Sequence, residues 1–122
     1  MTLQIAVADL FTSDPYIVVY ADGKNIGQTK TCRSTCSPVW NEEISVVLFH
    51  KGSVVLKIYD QDITTSEFLG IVELDLVALP KRKEDAQQVV LPIQQSTSKY
   101  KAKGTVTLTA YVVVGYYFPL EL

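Results

Sequence analysis

The amino-acid sequence predicts an all-β protein, an eight-stranded antiparallel β-sandwich, and three observations favour this fold class. Apolar and other residues alternate in short runs along most of the chain, which is typical of strands that bury one face. Segments with turn-forming residues separate these runs at short intervals. Evidence for helix is confined to residues 76–85, and Pro80 would interrupt a helix there after a turn or two.

Eight segments carry the strand pattern. In the first, Leu3, Ile5 and Val7 alternate with other residues, and the second is a β-branched and aromatic run that ends just before the turn residues Asp22 and Gly23. The last shows the pattern most clearly, because every second residue is apolar and the residues between are threonine or tyrosine. The predicted strands are residues 3–7, 16–20, 26–33, 39–48, 53–59, 68–76, 87–93 and 104–114.

The length and composition predict one domain over residues 1–122. The chain is 48% hydrophobic and 20% charged, which is ordinary for a globular protein with a single core. Trp40, the single tryptophan, is expected in that core. The segment 113–122 is unusually apolar: either it packs on the domain's own core, or it marks an edge where a neighbouring domain or a second copy packs.

Several classes of function are disfavoured. The net charge is −2 with acidic and basic residues interspersed, which argues against nucleic acid as a partner. No segment is long and apolar enough to span a bilayer, and the first residues lack the pattern of a signal peptide, so we expect a cytoplasmic protein. Cys32 and Cys36 are expected to be reduced thiols.

Neither zinc binding nor catalysis is predicted. His50 is the only imidazole, too few for a zinc site and without partners for nucleophilic or acid–base chemistry. No glycine-rich phosphate loop is present. We therefore do not expect an enzyme.

Acidic residues stand at the ends of predicted strands. Asp14 precedes the second strand, Asp60 and Asp62 end the fifth, and Glu67 opens the sixth. A sandwich brings loops from one end together, so these carboxylates can converge, and Ca²⁺ suits a cluster of oxygen ligands. From the residues alone, ordinary surface acids at turns explain the pattern as well.

Five motifs occur in an order that resembles the C2 domain family, within about residues 3–112. They are Ser13-Asp-Pro-Tyr16, Gly27-Gln-Thr-Lys-Thr31, Ser37-Pro-Val-Trp-Asn-Glu42, Leu56-Lys-Ile-Tyr-Asp-Gln-Asp62 and Glu67-Phe-Leu-Gly70. The resemblance implies an eight-stranded sandwich that binds phospholipid, often through Ca²⁺ held by three loops at one end. The strand order resembles the permuted arrangement called type II.

The same resemblance implies a set of metal ligands. Asp14, Asp60 and Asp62 match family Ca²⁺ ligands, and Glu67 occupies a position that the family usually fills with aspartate. The first loop is shorter than the family pattern and lacks a ligand, for which Asp9 is the candidate substitute. The ligand set therefore fits one Ca²⁺ ion better than two.

Two kinds of lipid contact are also expected. Phe11 and Ile63 fall at predicted loop tips, where each either enters the membrane interface or folds back onto the protein. The basic residues Lys30, Arg33 and Lys57 correspond to a sheet face that related domains use for phosphoinositides, although the cluster is sparse.

The function expected from the sequence is peripheral docking on anionic phospholipid, dependent on Ca²⁺. A calcium-independent protein-interaction or intramolecular regulatory module is the alternative from a different class, since the first loop is short. Phosphoinositide binding through the basic face is the third possibility.

Overall fold

The computed structural model describes residues 1–10, 14–45, 53–94 and 104–113. Within them, eight strands form two four-stranded antiparallel sheets, which confirms the predicted β-sandwich. The strands are β1 Thr2–Asp9, β2 Pro15–Ala21, β3 Lys24–Gln28, β4 Val39–Ser45, β5 Val54–Gln61, β6 Ser66–Leu74, β7 Val89–Pro92 and β8 Thr105–Tyr111. A single 3₁₀ turn, Lys83–Asp85, is the only helical element of the described chain.

Sheet A has the strand order β4-β1-β8-β7, and sheet B has the order β3-β2-β5-β6. The pairing defines two ends of the sandwich. At the acidic end, which carries residues 29–38 and 62–65, Pro15 lies opposite Asp60. At the opposite end, which carries residues 75–88, Thr2 lies opposite Tyr111. The first and last strands therefore run side by side.

The core lies between the sheets and is built mainly from inward-facing residues of β1, β2, β5, β6 and β8. On β8, Val106, Leu108 and Ala110 are buried, as the alternating pattern predicts. Trp40 is also buried, and its indole Nε1 donates a 2.8 Å hydrogen bond to the carbonyl of Lys30. The expectation that Trp40 is a core residue is confirmed.

The third predicted strand, residues 26–33, is wrong at both ends: β3 begins at Lys24 and ends at Gln28. Beyond Gln28 the chain still follows β2 through hydrogen bonds from the amides of Thr29 and Cys32, but without a regular ladder. Thr29 is buried, and its Oγ1 accepts the amide hydrogen of Ile17 at 2.9 Å. The Thr29 hydroxyl thus replaces part of the backbone pairing with β2. The alternation of apolar residues in the sequence does not reveal such a replacement.

Some predictions fall outside the described residues. These are the loop position of Phe11, the surroundings of His50, and the apolar tail beyond Val113. In the part of the chain that is described, no helix is long and apolar enough to cross a membrane. Cys32 and Cys36 are both free thiols.

Candidate functional site

The acidic end brings three of the predicted ligands onto neighbouring strands of sheet B. Asp14 directly precedes β2, and the next residue, Pro15, is opposite Asp60 on β5. Asp60 is in turn opposite Glu67, the second residue of β6. Antiparallel partners project to the same side of the sheet, so Asp60 and Glu67 lie side by side.

Hydrogen bonds fix Asp14 against Asp60. The amide of Asp14 donates to Oδ1 of Asp60 at 3.2 Å, and the amide of Gln61 donates to the carbonyl of Asp14 at 2.8 Å. Oδ1 of Asp14 accepts a 2.8 Å hydrogen bond from the amide of Ser34. One oxygen of each carboxylate is therefore engaged by backbone, which orients the side chain.

Asp62 belongs to the tight connection between β5 and β6. Its amide donates a 2.7 Å hydrogen bond to the carbonyl of Thr65, which closes the turn. Ile63 is fully exposed at the tip of this turn. The prediction that Ile63 occupies a loop tip matches its position here, and the turn holds the apolar side chain away from the core.

Asp9 belongs to the other sheet from the strands that carry Asp14, Asp60 and Glu67. It ends β1 in sheet A, opposite Thr105, and its side chain is exposed like that of Val7 on the outer face of that sheet. The next residue, Leu10, donates its amide hydrogen to the carbonyl of Cys36. Within the described residues, the hydrogen bonds that fix Asp14 and Asp60 do not include Asp9.

The donor set fits Ca²⁺ in its chemistry, because carboxylate and carbonyl oxygens are the ligands that Ca²⁺ prefers. Its geometry is only partly suitable: among the described residues, no group of three or more His, Cys, Asp or Glu side chains is close enough to hold an ion. The structure therefore shows the backbone of Asp14 bonded to the carboxylate of Asp60, with Glu67 opposite Asp60, and not a complete ligand shell.

The three predicted basic residues have separate locations. Lys57 is on the outer face of sheet B, with its Nζ 4.6 Å from the ring centroid of Tyr20. Lys30 follows β3, and its amide is bonded to Oε2 of Glu42 on β4. Arg33 lies in the segment 29–38 at the acidic end, and its side chain is exposed.

An aromatic row on the outer face of sheet B was not anticipated from the sequence. Tyr16 stacks on Tyr59 with ring centroids 5.3 Å apart, and Tyr59 meets the edge of Phe68 at 5.7 Å. The Tyr16 hydroxyl donates to Oγ of Ser66 at 2.8 Å, which connects β2 to the start of β6. Burial, followed by the nearby Tyr20, raises the pKa of Tyr59 above its ordinary value.

The signal for this row was present in the sequence but incomplete. Each of the three aromatic residues stands two or fewer residues from a predicted acidic ligand. Their contact depends on the register between β2, β5 and β6, and a bulge between Ile58 and Tyr59 shifts that register. Alternation within one strand carries no information about register between strands.

The fold and the acidic end define a class of protein: an antiparallel β-sandwich with acidic loops at one end. The family model of the C2 domain matches residues 4–91 of this chain. The chain therefore belongs to the C2 domain family.

Relatives with known names are mostly much longer proteins. The chain is 35% identical over 77 residues to the ADP-ribosylation factor GTPase-activating protein AGD12 of Arabidopsis thaliana, covering 62% of this chain and 23% of that protein. It is 33% identical over 118 residues to the E3 ubiquitin-protein ligase Nedd-4 of Drosophila melanogaster, covering 85% of this chain and 12% of that protein. The chain thus spans less than a quarter of either relative.

Solved structures of C2 domains share the fold. A C2 domain of plant Extended Synaptotagmin 1 superimposes with a TM-score of 0.70 at 18% identity, covering 88% of both chains. A calcium-bound pair of C2 domains from Extended-Synaptotagmin 2 gives a TM-score of 0.68 at 23% identity, covering 88% of this chain and 43% of that one. At these identities the likeness establishes the architecture alone.

Proposed function

We propose that this chain is a membrane-docking module that binds anionic phospholipid at its acidic end in a Ca²⁺-dependent manner. The observation that carries the proposal is the hydrogen bond from the backbone amide of Asp14 to the carboxylate of Asp60, which places these residues next to each other with Glu67 opposite Asp60. Like charges held close repel each other unless a cation neutralises them. The calcium-bound state of the similar Extended-Synaptotagmin 2 domains supports the same choice of cation.

Asp14, Asp60, Asp62 and Glu67 are the residues that would hold the ion, and their carboxylates would move closer together to do so. Bound Ca²⁺ supplies positive charge and open coordination positions that suit a lipid phosphate oxygen. Ser34 and the amide of Asp14 orient the carboxylates of Asp14 and Asp60. Because the protein supplies an incomplete set of ligands, we expect it to bind Ca²⁺ weakly in the absence of lipid.

Ile63 adds an apolar contribution to docking at the same end. Its side chain is fully exposed in the turn that also contains Asp62. Transfer of an isoleucine side chain from water to an apolar environment contributes about 1.5–3 kcal/mol. Membrane association would then combine charge at Asp14 and Asp60 with shallow insertion of Ile63, and would be peripheral.

Sedimentation with phosphatidylserine vesicles, with Ca²⁺ and then with excess chelator, tests the proposal. Asp60→Asn retains the Oδ1 acceptor for the amide of Asp14 but removes the charge, so we expect a folded protein that no longer sediments with vesicles. Asp22→Asn is the matched control, because Asp22 is exposed in a turn at the opposite end and asparagine tolerates its φ of +50°. If Asp60→Asn sediments with the vesicles in Ca²⁺ as the wild type does, the proposal is wrong.

A calcium-independent protein-interaction module is the second candidate. The absence of a group of three close ligands among the described residues favours it. Vesicle binding that fails both with and without Ca²⁺ would place this candidate first. Vesicle binding that persists in chelator, and that Lys57→Gln abolishes, would instead indicate phosphoinositide or other anionic lipid on the outer face of sheet B.

A further inference from the structure

A cleft of about 410 Å³ lies at the end of the sandwich away from the acidic carboxylates. It is lined by residues 78–80 and by Val89 and Leu91 of β7. Leu108 and Ala110 of β8 form its base. The volume falls within the roughly 300–1,000 Å³ range of protein ligand sites, and such sites are mainly apolar.

Two exposed valines belong to this part of the molecule: Val89 lines the cleft, and Val77 precedes Ala78, which also lines it. The exposed fractions of Val89 and Val77 are 40% and 80%. The amide of Val112 donates a 2.9 Å hydrogen bond to the carbonyl of Pro80, a lining residue, and the next residue, Val113, is exposed. Apolar side chains concentrated at one place are typical of an interaction surface.

All charged side chains that line the cleft are carboxylates: Glu73, Asp75 and Asp85. Asp85 is neutralised by Arg82, whose Nε lies 2.8 Å from Oδ2 of Asp85. The nearby Lys81 directs its Nζ to the carbonyl of Leu76 at 2.9 Å. Among the described residues that line the cleft, Glu73 and Asp75 make no ion pair, and they place negative charge beside an apolar surface, which favours a basic partner.

We propose that this cleft docks a peptide segment of a partner protein, one that carries large apolar side chains next to a basic residue. The apolar side chains fill the space between residues 78–80 and Val89. The basic side chain pairs with Glu73 and Asp75 at the edge. The site is at the other end of the sandwich from Asp14 and Asp60, so its function does not depend on Ca²⁺ or on membrane.

The direct test is fluorescence anisotropy of the 122-residue chain with a labelled synthetic peptide, Gly-Leu-Phe-Lys-Leu-Phe-Lys-Gly. A twin with glutamate in place of both lysines keeps the apolar side chains and reverses the charge. We expect the basic peptide to bind at least tenfold more tightly than the acidic twin. Equal affinity for the two peptides would overturn the proposal.

Two variants test the cleft itself. Glu73→Gln combined with Asp75→Asn removes the two charges, and we expect affinity for the basic peptide to fall at least fivefold. Glu84→Gln combined with Asp22→Asn removes two exposed charges that do not line the cleft, and affinity should stay within twofold. Ala78→Trp fills the space from an exposed turn and should abolish binding with an unchanged circular dichroism spectrum. Binding that survives Ala78→Trp contradicts the proposal.

Amide chemical shifts locate the peptide and separate this proposal from other occupants. Peptide-induced shifts at Ala78, Val89 and Leu91 support it, and shifts confined to residues 62–65 overturn it. If deletion of residues 114–122 shifts the same amides without peptide, the chain's own tail is the occupant. A dimer in sedimentation that Ala78→Trp dissociates would assign the cleft to a second copy. Shifts of these amides on addition of vesicles would assign the cleft to lipid. Assignment of the cleft to the tail, to a second copy or to lipid would each reject the peptide proposal.

Discussion

The amide of Ser34 donates a 2.8 Å hydrogen bond to Oδ1 of Asp14, so one carboxylate both anchors a loop and belongs to the proposed metal site. Ser34 has a φ of +55°, a conformation in which that amide is available to Asp14. The segment 29–38 is further attached to β2 through the amide of Cys32 and the carbonyl of Pro15. The two roles of Asp14 are separable by mutation.

Asp14→Ala should release the segment 29–38, whereas Asp14→Asn should retain it. Alanine lacks the acceptor for the Ser34 amide, and loss of one such hydrogen bond costs about 0.5–1.5 kcal/mol. Asparagine retains an acceptor oxygen but not the charge. Amide hydrogen exchange at Ser34 is the measurement: faster exchange in Asp14→Ala only is expected. Vesicle binding with Ca²⁺ should be lost in both variants, and equal exchange rates in both would contradict the structural role.

The buried Thr29 provides a test of the irregular segment that follows β3. Thr29→Val keeps the shape of the side chain but removes the acceptor of the Ile17 amide, leaving a buried donor unsatisfied. We expect a loss of about 1–3 kcal/mol in the free energy of unfolding, measured with urea. Thr29→Ser retains the hydroxyl and is the control. A valine variant no less stable than the serine variant would show that this hydrogen bond is unimportant.

Substitution of two glycines that have positive φ distinguishes the cost of steric crowding from the cost of backbone strain. A Cβ at Gly70 would lie 2.5 Å from Cγ2 of Ile93 and 2.8 Å from the carbonyl oxygen of Gln94, whereas one at Gly23 meets nothing within 4 Å. Gly70→Ala should therefore lose about 3–5 kcal/mol, the sum of strain and overpacking. Gly23→Ala should lose about 1–2 kcal/mol from strain alone. Urea denaturation of both variants measures the difference, and equal losses would refute the close approach.

The raised pKa of Tyr59 predicts a specific pH dependence of the free energy of unfolding. Burial raises the pKa of Tyr59, so the folded state favours the neutral phenol. Its contribution to stability is fully present below the ordinary tyrosine pKa of about 10 and is lost as the pH rises through the raised pKa. Tyr59→Phe preserves the ring contacts with Tyr16 and removes this ionisation. The free energy of unfolding should therefore fall less steeply above about pH 10 in Tyr59→Phe than in the wild type. Parallel pH profiles would contradict the assignment.

All eight predicted strands exist, because most strands have one buried face and their alternation is visible in the sequence. β8 shows this directly, with Val106, Leu108 and Ala110 buried. The predicted end of β3 was wrong because it depends on Thr29, a polar residue whose burial is decided by a hydrogen bond to Ile17. Patterns of hydrophobicity report which face is buried and not where a ladder becomes irregular.

The acidic site was predictable in part. The resemblance to the C2 family named Asp14 and Asp60, and the structure joins them directly. It also named Asp9 as a substitute ligand, which stays a prediction: Asp9 ends β1 in sheet A, paired with Thr105. The cleft at the opposite end could not be foreseen, because it depends on how residues 78–80 lie over β7 and β8.

The pairing of Thr2 with Tyr111 determines how the domain responds to mechanical force. Tension applied at Met1 and at Val112 would act on two antiparallel neighbours from the same end. Hydrogen bonds between such strands lie perpendicular to them, so the load falls on one bond pair at a time, beginning at Thr2. The strands unzip rather than shear. A domain of this topology yields at low force and extends early when Met1 and Val112 are pulled apart.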